Sequence, residues 1–400
     1  MRIRGTAALL TLALLLSACA KPGTTGASAE APGGTLGFVK HPGAVDFPGA
    51  HDYVPPSKGI QKLFPYGPCV LGFGLYSTGY TRVGAMWTGG TGCESLTLAE
   101  RPANPPHDGP KPIELGTPFG ARRDVVDLGD GALLGIGETS LDRRAADGTV
   151  TVLGEGVEIY PGKGDAEGST GFSDLFAEGD LVLIAGRVDW RGRLWRSTDG
   201  GRTLAEVTVP GDTSPNLHII RAGGRLVAVD PWAATALVST DDGATWTPEA
   251  VTGVPPNGYN RSPFIVLERE GGFLAVASRG SEDGGEQAPV VFTSEDGLNW
   301  SDTGAAMEGE GSVLDATLDA DGRLVIVGNT GSAKEQCGVV WAETFQGWRR
   351  GDLGCQAYPA RVVTTLADGR VLIAGNTDLW IRQSGPPEPR GSGESSPAAV

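Results

Sequence analysis

Two groups of side chains stand where short apolar runs of this chain begin or end. Arg123, Asp174, His218, Arg261 and Arg361 form one group, and Arg187, Asp189, Trp190, Asp230, Trp232 and Arg279 the other. A guanidinium presents a planar fork of donors to a carboxylate, and an indole presents a flat face to a sugar or an apolar side chain. A surface assembled from these residues suits a carboxylate, a sugar or a peptide tail. The competing view is that the charges form a solvated face, where ion pairs contribute little, and that the tryptophans pack on neighbouring loops. Nucleophilic and metal chemistry have less to draw on. His41, His51, His107 and His218 are scattered without metal-ligand spacing, and the chain carries no convincing G-x-S-x-G elbow. No catalytic set, metal or cofactor is therefore assigned.

The cysteines read as structural. With Cys19 set apart, Cys69, Cys93, Cys337 and Cys355 remain; four cysteines allow three connectivities. The local pairs Cys69 with Cys93 and Cys337 with Cys355 each stay within one unit of the repeat described next. In an oxidising compartment each bridge would constrain the unfolded chain by about 3 kcal/mol. A zinc site lacks its C-x-x-C or paired-histidine spacing.

Two repeats position all of these residues. One is a turn cassette, seen at Ser197-Thr198-Asp199-Gly200-Gly201, at Ser239 through Asp241 and Gly243 to Trp246, and at Thr293 through Glu295 and Gly297 to Trp300. The hydroxyl and carboxylate are suited to bonding backbone groups inside a tight turn, glycine accepts the backbone angles required, and tryptophan supplies core. The other repeat is a short continuous apolar run, bounded by turn residues, of the kind made by strands buried on both faces. Anchored on Leu133, Leu181, Leu226, Leu274, Leu324 and Val371, it returns at intervals of 48, 45, 48, 50 and 47 residues.

Around each anchor the chain reads strand, turn, anchor strand, variable loop, third strand, cassette turn, fourth strand. Units of about 45 residues with four antiparallel strands make an all-β fold, the β-propeller. A degenerate unit over Val70–Leu75, Arg82–Trp87 and Glu94–Leu98 brings the count to seven blades, or six if the stretch before Cys93 is only packing. The last unit runs out of strands after Leu379–Arg382, so a segment such as Thr35–Val39 is expected to complete it and close the ring. In this arrangement the first group of candidates approaches the central mouth, and the second forms its rim.

The cassettes resemble those of Asp-box (BNR-repeat) β-propellers of the sialidase-like superfamily, over roughly Pro65 to Gln383. The match is strong at Ser239–Trp246, conservatively altered at Thr293–Trp300, and weaker at Ser197–Leu204, where leucine stands for tryptophan. Ala342–Trp348 keeps only the terminal tryptophan, and Arg143–Val150 only an Asp-Gly turn. The resemblance implies a fold rather than an activity. A sialidase would need an arginine triad, a tyrosine nucleophile with a glutamate partner, and an acidic acid/base residue. The matching sequence context is absent.

The address lies at the start of the chain. Arg2 and Arg4 precede the apolar run Ala7–Leu16, which reads as a signal peptide too short to span a membrane. Leu16-Ser17-Ala18-Cys19 resembles the bacterial lipobox, which implies cleavage before Cys19 and its acylation. The domain expectation is a signal over 1–18, a lipidated cysteine and flexible tether over 19–34, one propeller over 35–384, and a Gly-, Pro- and Ser-rich disordered tail over 385–400. Net charge is −16, and loss of Arg2 and Arg4 takes it to 30 − 48 = −18. Such a field repels phosphate backbones and anionic headgroups, which disfavours nucleic acid and leaves membrane attachment to the lipid. The expected protein is a monomeric, lipid-anchored extracytoplasmic propeller that binds a protein or cell-envelope ligand without catalysis. The alternative is a divergent, sialidase-like exo-glycosidase using two carboxyl groups.

Overall fold

Seven sheets of four antiparallel strands, set around a central channel, make up the β-propeller. The computed structural model describes residues 35–46, 59–78, 81–99, 124–129, 131–137, 140–153, 171–188, 191–211, 216–230, 234–254, 264–280, 287–332, 335–356 and 359–383. The expected signal segment over 1–18, Cys19, the expected tether to residue 34 and the expected tail over 385–400 lie outside these residues. Among the described residues there is no helix, and none long and apolar enough to cross a membrane.

The first strands of blades 1 to 7 are Ile60–Tyr66, Asp124–Asp127, Gly171–Glu178, His218–Ala222, Ile265–Arg269, Ser312–Leu318 and Val362–Thr365. Each pairs with the anchor strand that follows it. Blade 1 gains Ile60–Tyr66, an inner strand that no apolar run announces because Gln61, Lys62 and Pro65 interrupt it. In blade 7 the order is completed from the other end of the chain: Phe38–His41 pairs antiparallel with Leu379–Arg382. Thr35–Gly37 form the turn that leads into this strand, with Leu36 and Gly37 both at positive φ.

The continuous apolar runs follow from this stacking. Side chains of a strand alternate between its two faces, and in a propeller both faces meet another blade. In blade 4, Leu226 and Ala228 pack with Leu183, Ala185 and Leu194 of blade 3, while Val227 and Val229 pack with Phe273, Ala275 and Phe292 of blade 5. Seven core clusters fill the seven blade-to-blade layers. Strand pairing places Val182 and Phe273 opposite Ser197 and Ser294, as Leu226 is opposite Ser239. The equivalent anchors in blades 3 and 5 are thus one residue away from Leu181 and Leu274, a shift that apolar content alone does not reveal.

The cassette turns are closed by side chains. Ser239 Oγ accepts the Gly243 N–H at 2.8 Å, and Asp241 Oδ1 accepts the Thr245 N–H at 2.9 Å. Ser197 and Asp199 do the same for Gly201 and Thr203. In the third turn these roles fall to Ser294 and Asp296, which accept from Gly297 and Asn299, rather than to Thr293 and Glu295. The turn is one residue shorter between carboxylate and glycine, so counting back from Trp300 lands one position early. Trp246 and Trp300 are buried, and each indole donates to its own turn, to Gly243 O and Gly297 O at 3.0 Å. Trp246 fills the layer toward blade 3, Trp300 the layer toward blade 4, and Leu204 the layer toward blade 2. Gly243 sits at φ +78°, and a Cβ there would lie 2.7 Å from Leu183 of the preceding blade. Disulfides join Cys69 to Cys93 in blade 1 and Cys337 to Cys355, which are register partners in blade 6.

Candidate functional site

The inner strands bring one residue per blade to the same level of the channel wall. Pairing with the fourth residue of each anchor run identifies them: Lys62 with Phe73, Asp124 with Ile136, Asp174 with Ala185, His218 with Val229, Ile265 with Val276, Asp315 with Val327 and Val362 with Ala374. Five of the seven are ionisable. The level lies near the start of the inner strands. Ser239 of the cassette pairs instead with Leu226, beside the hairpin that ends the inner strand of blade 4. The cassettes and the charged ring therefore occupy opposite ends of the blade.

The three aspartates are joined to the next blade. Asp124 Oδ2 accepts the Leu175 N–H at 3.3 Å, Asp174 Oδ2 the Ile219 N–H at 2.7 Å, and Asp315 Oδ2 the Val363 N–H at 2.9 Å. Their other oxygens are also engaged: Asp124 Oδ1 lies 3.1 Å from Lys62 Nζ, Asp174 Oδ1 lies 3.5 Å from His218 Nδ1, and Asp315 Oδ1 accepts the Ala316 N–H at 2.9 Å. A local irregularity of pairing immediately before Asp174 and Asp315 turns each toward the following blade. Such bulges re-aim side chains.

Lys62, Asp124, His218 and Asp315 titrate away from their ordinary values. The Asp124 carboxylate holds Lys62 in its charged form and raises its pKa against the opposing effect of burial, although the lysine side chain is still 41% exposed to the channel. Burial pushes Asp124 upward, against the pull of Lys62 and with the help of Asp174. Burial pushes Asp315 up to about 6, and its backbone hydrogen bonds and Lys62 offset only part of this. At His218 burial works against the charged form, but the hydrogen bond and charge of Asp174, with Asp230 and Asp124 behind it, outweigh burial and raise the pKa.

The residues singled out from sequence are distributed around this ring. Asp174 and His218 are members of it. Asp230 is 1% exposed and acts on His218 from within the blade rather than from the rim. Arg361 immediately precedes the inner strand of blade 7, its N–H bonded to Ala374 O at 2.9 Å, and burial lowers its pKa. Arg187, half-buried, pairs with Gly171 at the mouth end of blade 3. Arg279 reaches the outer strand of its own blade, 2.6 Å from Asp302. Arg123, Arg261, Asp189, Trp190 and Trp232 lie outside the described residues. Lys62, Asp124 and Asp315 were not singled out from the sequence. The available signal is an aspartate directly before an apolar inner-strand residue, as in Asp124-Val125, Asp174-Leu175 and Asp315-Ala316, at one fixed place relative to the anchor run. Among the described residues, no group of three or more His, Cys, Asp or Glu side chains is arranged to hold a metal ion. A groove of about 580 Å³ opens at the cassette end of blade 5, lined by Arg269, Glu270, Phe273, Glu295 and Asp296. It lies far from the ring, and the Asp296 carboxylate is already committed to the turn.

No protein-family model matches the sequence, and no curated protein matches it. Among solved structures, the chain is similar to the GH74 xyloglucanase from Xanthomonas campestris, with a TM-score of 0.52 and 12% identity over 86% of this chain and 54% of that one. It is also similar to streptogramin B lyase, with a TM-score of 0.47 and 12% identity over 86% of this chain and 97% of that one. The chain spans about half the length of the xyloglucanase. At this identity the likeness concerns the fold alone.

Proposed function

We propose that the chain is a bacterial lipoprotein, anchored by acylated Cys19 on the extracytoplasmic side of the membrane. Its Asp-box (BNR-repeat) propeller, of sialidase-like type, binds a protein or cell-envelope ligand at the mouth and leaves it unchanged. The observation that carries this reading is the state of the ring carboxylates. Each spends one oxygen on the N–H of the next blade and the other on a ring cation or its own strand. They act as fasteners between blades. What the ring leaves for a ligand is cationic: the exposed Lys62 ammonium and the raised-pKa His218 imidazole, with Arg361 at the start of blade 7. A carboxylate-bearing peptide or glycan fits that set.

A second reading, a divergent exo-glycosidase, is favoured by Asp315. A carboxyl pushed up to about 6 by burial resembles the acid of a glycosidase pair. One screen separates the two readings. Purified protein is incubated with chromogenic sialosides and other glycosides, and in parallel with solubilised envelope fractions. Capture of a ligand that is lost on Lys62→Met or Arg361→Ala, with no hydrolysis, supports binding. Turnover abolished by Asp315→Asn refutes it.

A further inference from the structure

We infer that the cassette end of the propeller faces the lipid surface and presents the charged mouth away from it. This inference rests on the lipoprotein reading above and on where the chain joins the fold. The ring-closing strand begins at Phe38, whose register partner is Arg382; its far end, His41, pairs with Leu379. Arg382 also pairs with Val371, the first residue of the blade 7 anchor strand. Phe38 thus lies at the cassette end, and the tether joins the fold there. The attachment is firm. Phe38 N–H bonds to Thr35 O at 3.0 Å, and Leu36 packs against the layer between blades 6 and 7.

Fifteen residues, Ala20–Gly34, separate Cys19 from Thr35. At the dimensions of a Gly- and Ser-rich chain, fifteen residues have a root-mean-square span of about 20 Å. The anchor strand Leu181–Val188 has 8 residues, which at strand rise makes a blade about 27 Å tall. To present the mouth to the lipid, the tether would have to double back along the full height of a blade, which exceeds its mean span. To present the cassette end, it need only leave the fold.

An aromatic side chain marks the same end. Phe345 is 67% exposed at the tip of the last turn of blade 6. A chain of contacts ties it to the attachment point: the Arg382 guanidinium lies over Phe38 at 5.2 Å and 3.2 Å from Asp319, Asp319 pairs with Arg323 at 3.3 Å, and Arg323 lies over Phe345 at 5.2 Å. An apolar ring held out beside the tether suits the boundary between headgroups and acyl chains. The net acidic chain has no basic field to hold it there, so the lipid supplies the affinity and the attachment point supplies the direction.

The test uses the full lipidated chain, purified from membranes and reconstituted in phosphatidylcholine–phosphatidylglycerol vesicles that carry a spin-labelled lipid quencher. A fluorophore is attached at Phe345→Cys or at its exposed neighbour Gln346→Cys, and separately at Thr235→Cys, an exposed position at the mouth end of blade 4. Quenching several-fold stronger at 345 and 346 than at 235 is expected. The neighbouring label serves if Phe345→Cys does not fold. Equal quenching of a chain shown by mass to be acylated overturns the orientation alone. A chain with no acyl group on Cys19 overturns both the anchor and the orientation.

Discussion

Removal of the Asp174 carboxylate separates the fastening role of the ring from its electrostatic role. In Asp174→Ala the N–H of Ile219, a residue 7% exposed, loses its 2.7 Å acceptor. A buried donor left without a partner costs about 1–3 kcal/mol, and the lower half of that range applies because water reaches the channel. The pair with His218, at 3.5 Å and with side chains 31% and 18% exposed, adds at most about 1 kcal/mol while the imidazole is charged. The raised pKa of His218 means that this second part is present in full below the unfolded value near 6.5 and is lost as pH rises through the folded value. The expected loss is therefore about 1–3 kcal/mol at pH 5.5, exceeding the about 1–2 kcal/mol at pH 8 by up to about 1 kcal/mol. Asp174→Asn keeps an oxygen for Ile219 and loses only the charge, so it should lose less than about 1 kcal/mol at either pH. Urea midpoints at constant slope measure the stabilities, and the imidazole resonance of His218 reports its titration, which should move downward in both variants. An Asp174→Ala protein within about 0.5 kcal/mol of wild type at both pH values, or an unshifted His218, refutes the reasoning.

Two further outcomes follow from the same geometry. Because burial raises Asp315 to about 6, the folded state binds its proton more tightly than the unfolded chain; stability from this group is full below about 3.9 and lost as pH climbs through about 6. Asp315→Asn should flatten that part of a stability-against-pH curve, and an unchanged slope counts against the assignment. Trp300 is 3% exposed and packs edge-on to Phe264 at a centroid distance of 6.3 Å. Trp300→Ala should cost about 3–5 kcal/mol in denaturant unfolding, and a loss below about 1 kcal/mol would contradict its place between blades 4 and 5.

Much of the architecture was legible in the sequence because a blade is a local object. Leu226–Val229 and its counterparts reveal a strand buried on both faces by composition alone, and the cassette ending in Trp246 marks a turn whose hydrogen bonds close within a few residues. The local disulfide pairs were readable for the same reason. Two things were harder to read. Ile60–Tyr66 carries polar residues toward the channel, so its inner strand shows no apolar run, and the shortened turn at Ser294–Gly297 shifts a frame counted from Trp300.

The ring was the least legible part. Lys62, Asp124, Asp174, His218 and Asp315 come from five blades, and no spacing between them announces that they share one level of a channel. Sequence alone determined the repeating unit, its number of strands and the acidic balance, and favoured the local cysteine pairs, since each depends on neighbours along the chain. Tertiary structure alone decided which charges meet, that the aspartates fasten one blade to the next, and that Phe38 closes the ring at the end opposite the mouth. Those facts arise only when the blades close into a ring, which brings the two ends of the chain, and residues hundreds of positions apart, into register.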